Sequence, residues 1–165
     1  MKYRSINALL LLVSLLAGVM VKAQDKQAPD IRAMLEAKNF VFKAQTALPM
    51  GGRNVNLTSD YDLTVRPDSV TSYLPYYGRA YTAPVNPAEG GIKFTSTSFD
   101  YQSAKEKKNR WVITIKPLDT RDVQDITLDV FDNGTASLHV NNQNRQAISF
   151  QGYVTEGKPL SKKAF

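Results

Sequence analysis

From residue 40 onward, apolar side chains recur at every second position. Phe40, Phe42 and Ala44 alternate with Val41, Lys43 and Gln45; Tyr61, Leu63 and Val65 alternate with Asp62, Thr64 and Arg66; Trp111, Ile113 and Ile115 alternate with Val112, Thr114 and Lys116. Successive strand side chains point to opposite faces, so each run predicts a β-strand with one face in a core. The pattern returns in Ile126, Leu128 and Val130, in Ala136, Leu138 and Val140, and in Ile148, Phe150 and Val154. With the shorter, less regular runs between them the chain is expected to hold about eight strands, eight or nine in all.

One stretch carries the helical period instead. Ile31, Met34 and Leu35 share a face between the start signals Pro29 and Asp30 and the stop signal Asn39, which predicts a short helix over residues 30–39. A helix of about ten residues is unstable alone in water, so it must pack on the β-structure. Asn133-Gly134 supplies the left-handed backbone of a tight turn between Val130 and Ala136, and residues 141–145 form a polar turn before Ala147. Such hairpin connections make neighbouring strands antiparallel. The expected fold is mainly β: an antiparallel meander closing as a barrel or a sandwich, with the N-terminal helix capping an open end.

Ahead of the helix, Lys2 and Arg4 precede an apolar run from Ala8 to Val21 and then small residues, the three parts of a secretory signal. The run of about 14 residues is shorter than the roughly 20 that a transmembrane helix needs. Cleavage is expected after Ala23, removing residues 1–23 as a signal peptide and leaving residues 24–165 as a single β domain, periplasmic or extracellular and not membrane-spanning. The chain has no cysteine. That excludes disulfides, thiolate metal ligands, a cysteine nucleophile and the acylated cysteine of a bacterial lipoprotein, so no lipid anchor is expected. The released 142 residues can bury roughly two thirds of their unfolded surface, enough for one core without staples.

Losing Lys2, Arg4 and Lys22 leaves 18 basic against 15 acidic residues, an excess of +3. A balance that mild argues against a nucleic-acid partner. The one dense basic run, residues 105–110, sits between two strand patterns and reads as a solvated hairpin tip. His139, the single histidine, is out of phase with Leu138 and Val140 and so faces away from the core. Without a second histidine or a cysteine it has no companions for a zinc site, and no Gly-x-Ser-x-Gly elbow offers it a serine. Asp119, Asp122, Asp125, Asp129 and Asp132 are abundant rather than paired, and Asp125 and Asp129, on one strand face, are expected to solvate the outer sheet face. No catalytic group, metal or cofactor is expected, and the chain is not read as an enzyme.

Residues 72–85 are the densest unusual stretch: Tyr73, Tyr76, Tyr77 and Tyr81 lie within it, with Arg79 beside Gly78. Tyrosine rings stack on sugar faces or apolar ligands while their hydroxyls orient them, and an arginine can clamp a carboxylate or phosphate. These five residues are the candidate ligand site. The competing reading makes Pro75 and Gly78 a sharp corner whose tyrosines plug the core and bond to loop backbone. A cavity lined by the tyrosines favours the first reading, and a filled interior the second.

The chain resembles an uncharacterised exported family known mainly from Bacteroidota, domain of unknown function 4251. The resemblance is carried by Phe40-Val41-Phe42 with Ala47-Leu48-Pro49, by the block from Tyr73 through Leu74-Pro75-Tyr76-Tyr77-Gly78-Arg79 to Ala80, by Gly90-Gly91-Ile92-Lys93-Phe94, and by Asn133-Gly134 with Ala136. It covers roughly residues 30–154. It implies an envelope or secreted location and brings no activity, cofactor or catalytic residue. The expected function is a non-enzymatic binding protein for an apolar, peptide or glycan ligand. The alternative is an envelope accessory protein, an assembly factor or inhibitor, acting through an exposed sheet edge or the basic tip; a carboxylate-based hydrolase ranks below both.

Overall fold

The structure is a computed structural model, and it describes residues 30–81, 90–106 and 109–157. The expected signal peptide, Pro29 and residues 82–85 of the tyrosine-rich stretch lie outside the described residues. The helix α1, Ile31–Glu36, starts where Asp30 accepts a hydrogen bond from the Ala33 amide (3.1 Å), and it buries Ile31, Met34 and Leu35. It ends at Ala37, earlier than Asn39, because Lys38 takes a left-handed φ of 51°.

Nine strands follow: β1 (Phe40–Pro49), β2 (Val55–Val65), β3 (Val70–Pro75), β4 (Gly91–Ser96), β5 (Phe99–Glu106), β6 (Arg110–Pro117), β7 (Val123–Phe131), β8 (Thr135–Asn142) and β9 (Ile148–Glu156). They form one antiparallel sheet in the order β4-β3-β2-β1-β9-β8-β7-β6-β5. The sheet curls into a nearly closed barrel, which resolves the choice between barrel and sandwich. The first strand pairs with the last, Phe42 opposite Val154. The two edges, β4 and β5, are consecutive in the chain and run in the same sense, separated by Thr97 and Ser98. Together they act as one long strand that changes partner, from β3 to β6. Asp119 pins the change-over by accepting from the amides of Thr97 (2.9 Å) and Ser98 (3.3 Å).

Alternation decides what fills the barrel. Phe40, Phe42, Leu63, Leu74, Ile113, Ile115, Leu128, Leu138 and Phe150 point inward and are fully buried in one continuous core. The helix lies over the end where β1 begins, with the Tyr101 hydroxyl donating to the Leu35 carbonyl (2.9 Å). The Asn133-Gly134 turn forms as read, with Gly134 at φ 83° and Asn133 Oδ1 accepting from the Thr135 amide (3.0 Å). At the β5–β6 tip, Arg110 pairs with Glu106, and Lys105 lies 5.4 Å over the Trp111 ring, so part of its charge is matched internally.

Candidate functional site

The predicted site residues separate into two groups. Tyr73 lies on β3 between the inward Ser72 and Leu74, so its ring faces outward and is 47% exposed. The other four follow the end of β3 and fold against the β8–β9 connection. There the Tyr76 hydroxyl shares its hydrogen between the carbonyls of Arg79 (2.9 Å) and Gln146 (3.1 Å), and burial raises its ionisation above the ordinary tyrosine value against the opposing pull of Arg145. Arg79 is exposed and is held through its backbone: its amide reaches Gln146 Oε1 (3.3 Å) and its carbonyl accepts from the Gln146 amide (3.1 Å). Tyr77 packs half-buried on the core, while Tyr81 is 71% exposed, its amide bonded to the Asn144 carbonyl. A Cβ at Gly78 would stand 2.7 Å from the Tyr76 hydroxyl, so a larger residue there would push the ring aside.

Arg145 completes this corner, and sequence reasoning left it as the end of a polar turn. Its guanidinium lies 5.1 Å from the Tyr76 ring centre, donates to the Gly91 carbonyl (2.9 Å) and meets Asp122 at 3.3 Å. Tyr76 and Arg145 therefore clasp three loops at one end of the barrel.

Tyr73 belongs to a different arrangement, built on a break in register. From Ala44 to Thr46, β1 contributes one extra residue, Gln45, while β2 goes from Tyr61 to Asn56 and so contributes residues 57–60. On the other side Ala44 faces Gly152 and Thr46 faces Gln151, so Gln45 is extra there too. A bulge of this kind bends the strand and re-aims its side chains. The result is a recess of about 250 Å³ on the outer face, lined by Lys43, Gln45, Ser59, Asp60, Tyr61 and Tyr153 among others. The strands approach so closely here that a Cβ at Gly152 would stand 1.9 Å from the Lys43 carbonyl oxygen.

Two aromatic rings, Tyr61 and Tyr153, line this notch, and Tyr73 stands next to it. Tyr61 and Tyr73 are stacked with centroids 5.6 Å apart and planes at 24°. The Lys93 ammonium lies 4.9 Å over the Tyr73 ring, and Tyr153 stands on the far rim, 42% exposed. Between the rims Lys43 pairs with Asp62 at 2.8 Å, which raises the lysine's ionisation above its ordinary value. The pairings Tyr153–Lys43, Lys43–Asp62, Asp62–Tyr73 and Tyr73–Lys93 put these side chains in one row across the sheet.

Spacing alone puts Tyr61 on the core face with Leu63 and Val65 and gives Tyr153 no role, although a signal of the notch is present. The inward positions run 40, 42, 44 and then 47, an odd step that marks an inserted residue. Gly152 occupies an inward phase between Phe150 and Val154, and a glycine inside a strand marks a bulge or a close approach.

The fold and site define a small antiparallel barrel with a filled interior, a helix over one end and its recesses on the outside. Residues 22–154 match the model of a domain of unknown function, DUF4251, and the chain belongs to that family. Its fold is shared with the crystal structure of a DUF4251 family protein from Bacteroides eggerthii DSM 20697, at 17% identity and a TM-score of 0.55 over 77% of this chain and 85% of that one. No curated protein matches the sequence.

Proposed function

We propose that the exported chain is a non-enzymatic binding protein of the periplasm or cell surface that holds a glycan on the outside of its barrel, in the notch lined by Tyr61 and Tyr153 and extended by Tyr73 beside Tyr61. The observation that carries this reading is a polar recess at a break in register, lined by half-buried Tyr61 and exposed Tyr153, with the exposed Tyr73 ring stacked on Tyr61. A sugar presents a flat C–H face for stacking and a rim of hydroxyls, and the notch offers rings beside Lys43, Gln45, Ser59 and Asp60. A purely apolar ligand would find too much charge there. Tyr153 and Tyr73 are three strands apart, about 14 Å along the sheet, the span of a short oligosaccharide. The interior is filled by the core, which favours the corner reading for Tyr76 and leaves the exterior for binding.

The test is a glycan microarray probed with the purified 24–165 chain, followed by titration calorimetry on the strongest hit. Tyr73→Ala combined with Tyr153→Ala should abolish binding without moving the thermal midpoint. An array without signal, or binding that survives the double substitution, rejects the proposal.

A further inference from the structure

A second recess lies along the seam of the barrel, independent of the aromatic notch. The edge strand β4 is hydrogen-bonded to β3 on one side only. Among the described residues no strand pairs with its other side, which leaves an edge where a further strand can be added, with the Gly91 carbonyl already held by Arg145. Residues 118–122, between β6 and β7, run beside that edge and are fastened at both ends. At one end the Leu118 amide donates to the Ser98 carbonyl (2.8 Å) and Asp119 accepts from Thr97 and Ser98. At the other, Asp122 reaches Gly91 through Arg145. Between the fastenings is a recess of about 290 Å³, lined by Ile92, Phe94, Arg121, Val123 and Arg145 among others. Ligand pockets start at about 300 Å³, so this one suits the last residue or two of a chain.

Its charges are unequally engaged. The Ser96 hydroxyl and the amides of Thr97 and Ser98 hold the Asp119 carboxylate below the usual range, so that charge is already compensated. Arg145 is only 18% exposed and is fixed by the Gly91 carbonyl and the Tyr76 ring, whereas its partner Asp122 is 63% exposed and 3.3 Å away. An exposed carboxylate at that distance is a weak and replaceable partner. Arg121 has no acidic partner among the described residues.

We propose that the seam recess captures the free carboxylate end of an extended polypeptide. The last two residues of the peptide lie antiparallel to the start of β4, and the terminal carboxylate displaces Asp122 and lies against Arg145 and Arg121. The polarity agrees, because an antiparallel neighbour of β4 ends beside Gly91, where Arg145 is fastened. A pre-positioned guanidinium binds a carboxylate more strongly than a flexible one does.

The experiment is fluorescence anisotropy with a fluorescein-labelled hexapeptide, Ser-Thr-Val-Ser-Thr-Val, offered with a free and with an amidated C-terminus. The free acid should saturate, and the amide should bind about tenfold more weakly or worse. Asp122→Asn should tighten the free acid severalfold by releasing Arg145, and Arg121→Ala should weaken it; both positions are exposed and leave the core intact. Amide NMR shifts on binding should concentrate at residues 91–96 and 118–123. Equal binding of the two peptides, no saturation by the acid, or indifference to both substitutions overturns the proposal. So do shifts centred on Tyr61, Tyr73 and Tyr153. Succinate competing as well as the peptide would reject capture of a chain end in favour of a free small acid.

Discussion

Two halves of the barrel's outer surface obey the same alternation and present different chemistry. On β6, β7 and β8 the register slips once, at Gln124 near the start of β7, and is continuous from Ile115 opposite Ile126 to Trp111 opposite Val130 and from Asp125 opposite Asn141 to Val130 opposite Ala136. The polar side chains on that face pair with one another. His139 Nδ1 lies 2.8 Å from the Ser149 hydroxyl, His139 Nε2 lies 3.1 Å from Asn141 Oδ1, and Asn141 Nδ2 donates to Asp125 at 2.9 Å. An ionised carboxylate only accepts, so Asn141 must turn its oxygen to His139, and in the neutral ring Nε2 then carries the hydrogen while Nδ1 accepts from Ser149. The line is satisfied within itself. On β9, β1, β2 and β3 the bulge at Gln45 interrupts the register, the sheet opens into a notch, and the exposed Tyr153 ring stands on its rim, with exposed Tyr73 beside it. The break at Gln45, which inserts a residue against both neighbouring strands, makes this recess.

The largest predicted effect therefore falls on the bulge. In Gly152→Ala the new methyl would meet the Lys43 carbonyl at 1.9 Å, and only backbone movement can relieve it. Overpacking of this kind should cost about 3 kcal/mol, measured by urea unfolding. If Gly152→Ala folds with unchanged stability, β9 does not approach β1 as closely as described.

Tyr101 lies on neither of these faces; it ties β5 to the helix. Burial raises its ionisation well above the ordinary value of 10.0. The charged form is disfavoured in the folded state, so this group's contribution to stability is complete below pH 10 and is lost as pH rises beyond it. Tyr101→Phe should remove that alkaline loss. It should also cost about 1 kcal/mol at neutral pH, because the Leu35 carbonyl loses its donor. Urea midpoints of both proteins at neutral and alkaline pH check both parts.

On the regular face, His139→Ala removes the middle of a hydrogen-bonded line and leaves Ser149 and Asn141 to water. Half-buried groups re-hydrate readily, so the cost should be about 1 kcal/mol. A loss as large as that of Gly152→Ala would mean that the regular half depends on its outer polar chain more than on its core.

Much of this architecture was legible because period-two burial is a local signal. Trp111, Ile113 and Ile115, or Ala136, Leu138 and Val140, disclose strand and face from spacing alone, and Asn133-Gly134 discloses its turn. The site was less legible for two physical reasons. Tyr61 and Tyr153 are brought together by a bulge, which is visible only as the odd step from Ala44 to Ala47 and as Gly152 in an inward phase. Arg145 contacts Tyr76 across 69 positions of chain, and no local pattern foretells such a partner. Tyr73 and Tyr76 looked equivalent in sequence. Strand phase sends one ring outward, and the corner after Pro75 turns the other onto the Gln146 backbone.

The smallest stability effect separates the two faces most cleanly. Tyr153 is 42% exposed on the rim of the notch, and Thr127 occupies an outward position opposite His139 on the regular face. Each truncation to alanine removes side-chain atoms that the core does not need, so Tyr153→Ala and Thr127→Ala should each change stability by about 0.5 kcal/mol or less. Their effects on a bound glycan should part completely. Tyr153→Ala removes a stacking face and should weaken binding at least about tenfold, whereas Thr127→Ala, on the self-satisfied half, should leave the calorimetric titration unchanged. Equal losses at both positions would indicate that any glycan contact is spread over the sheet, and the bulge would then have no special role in it.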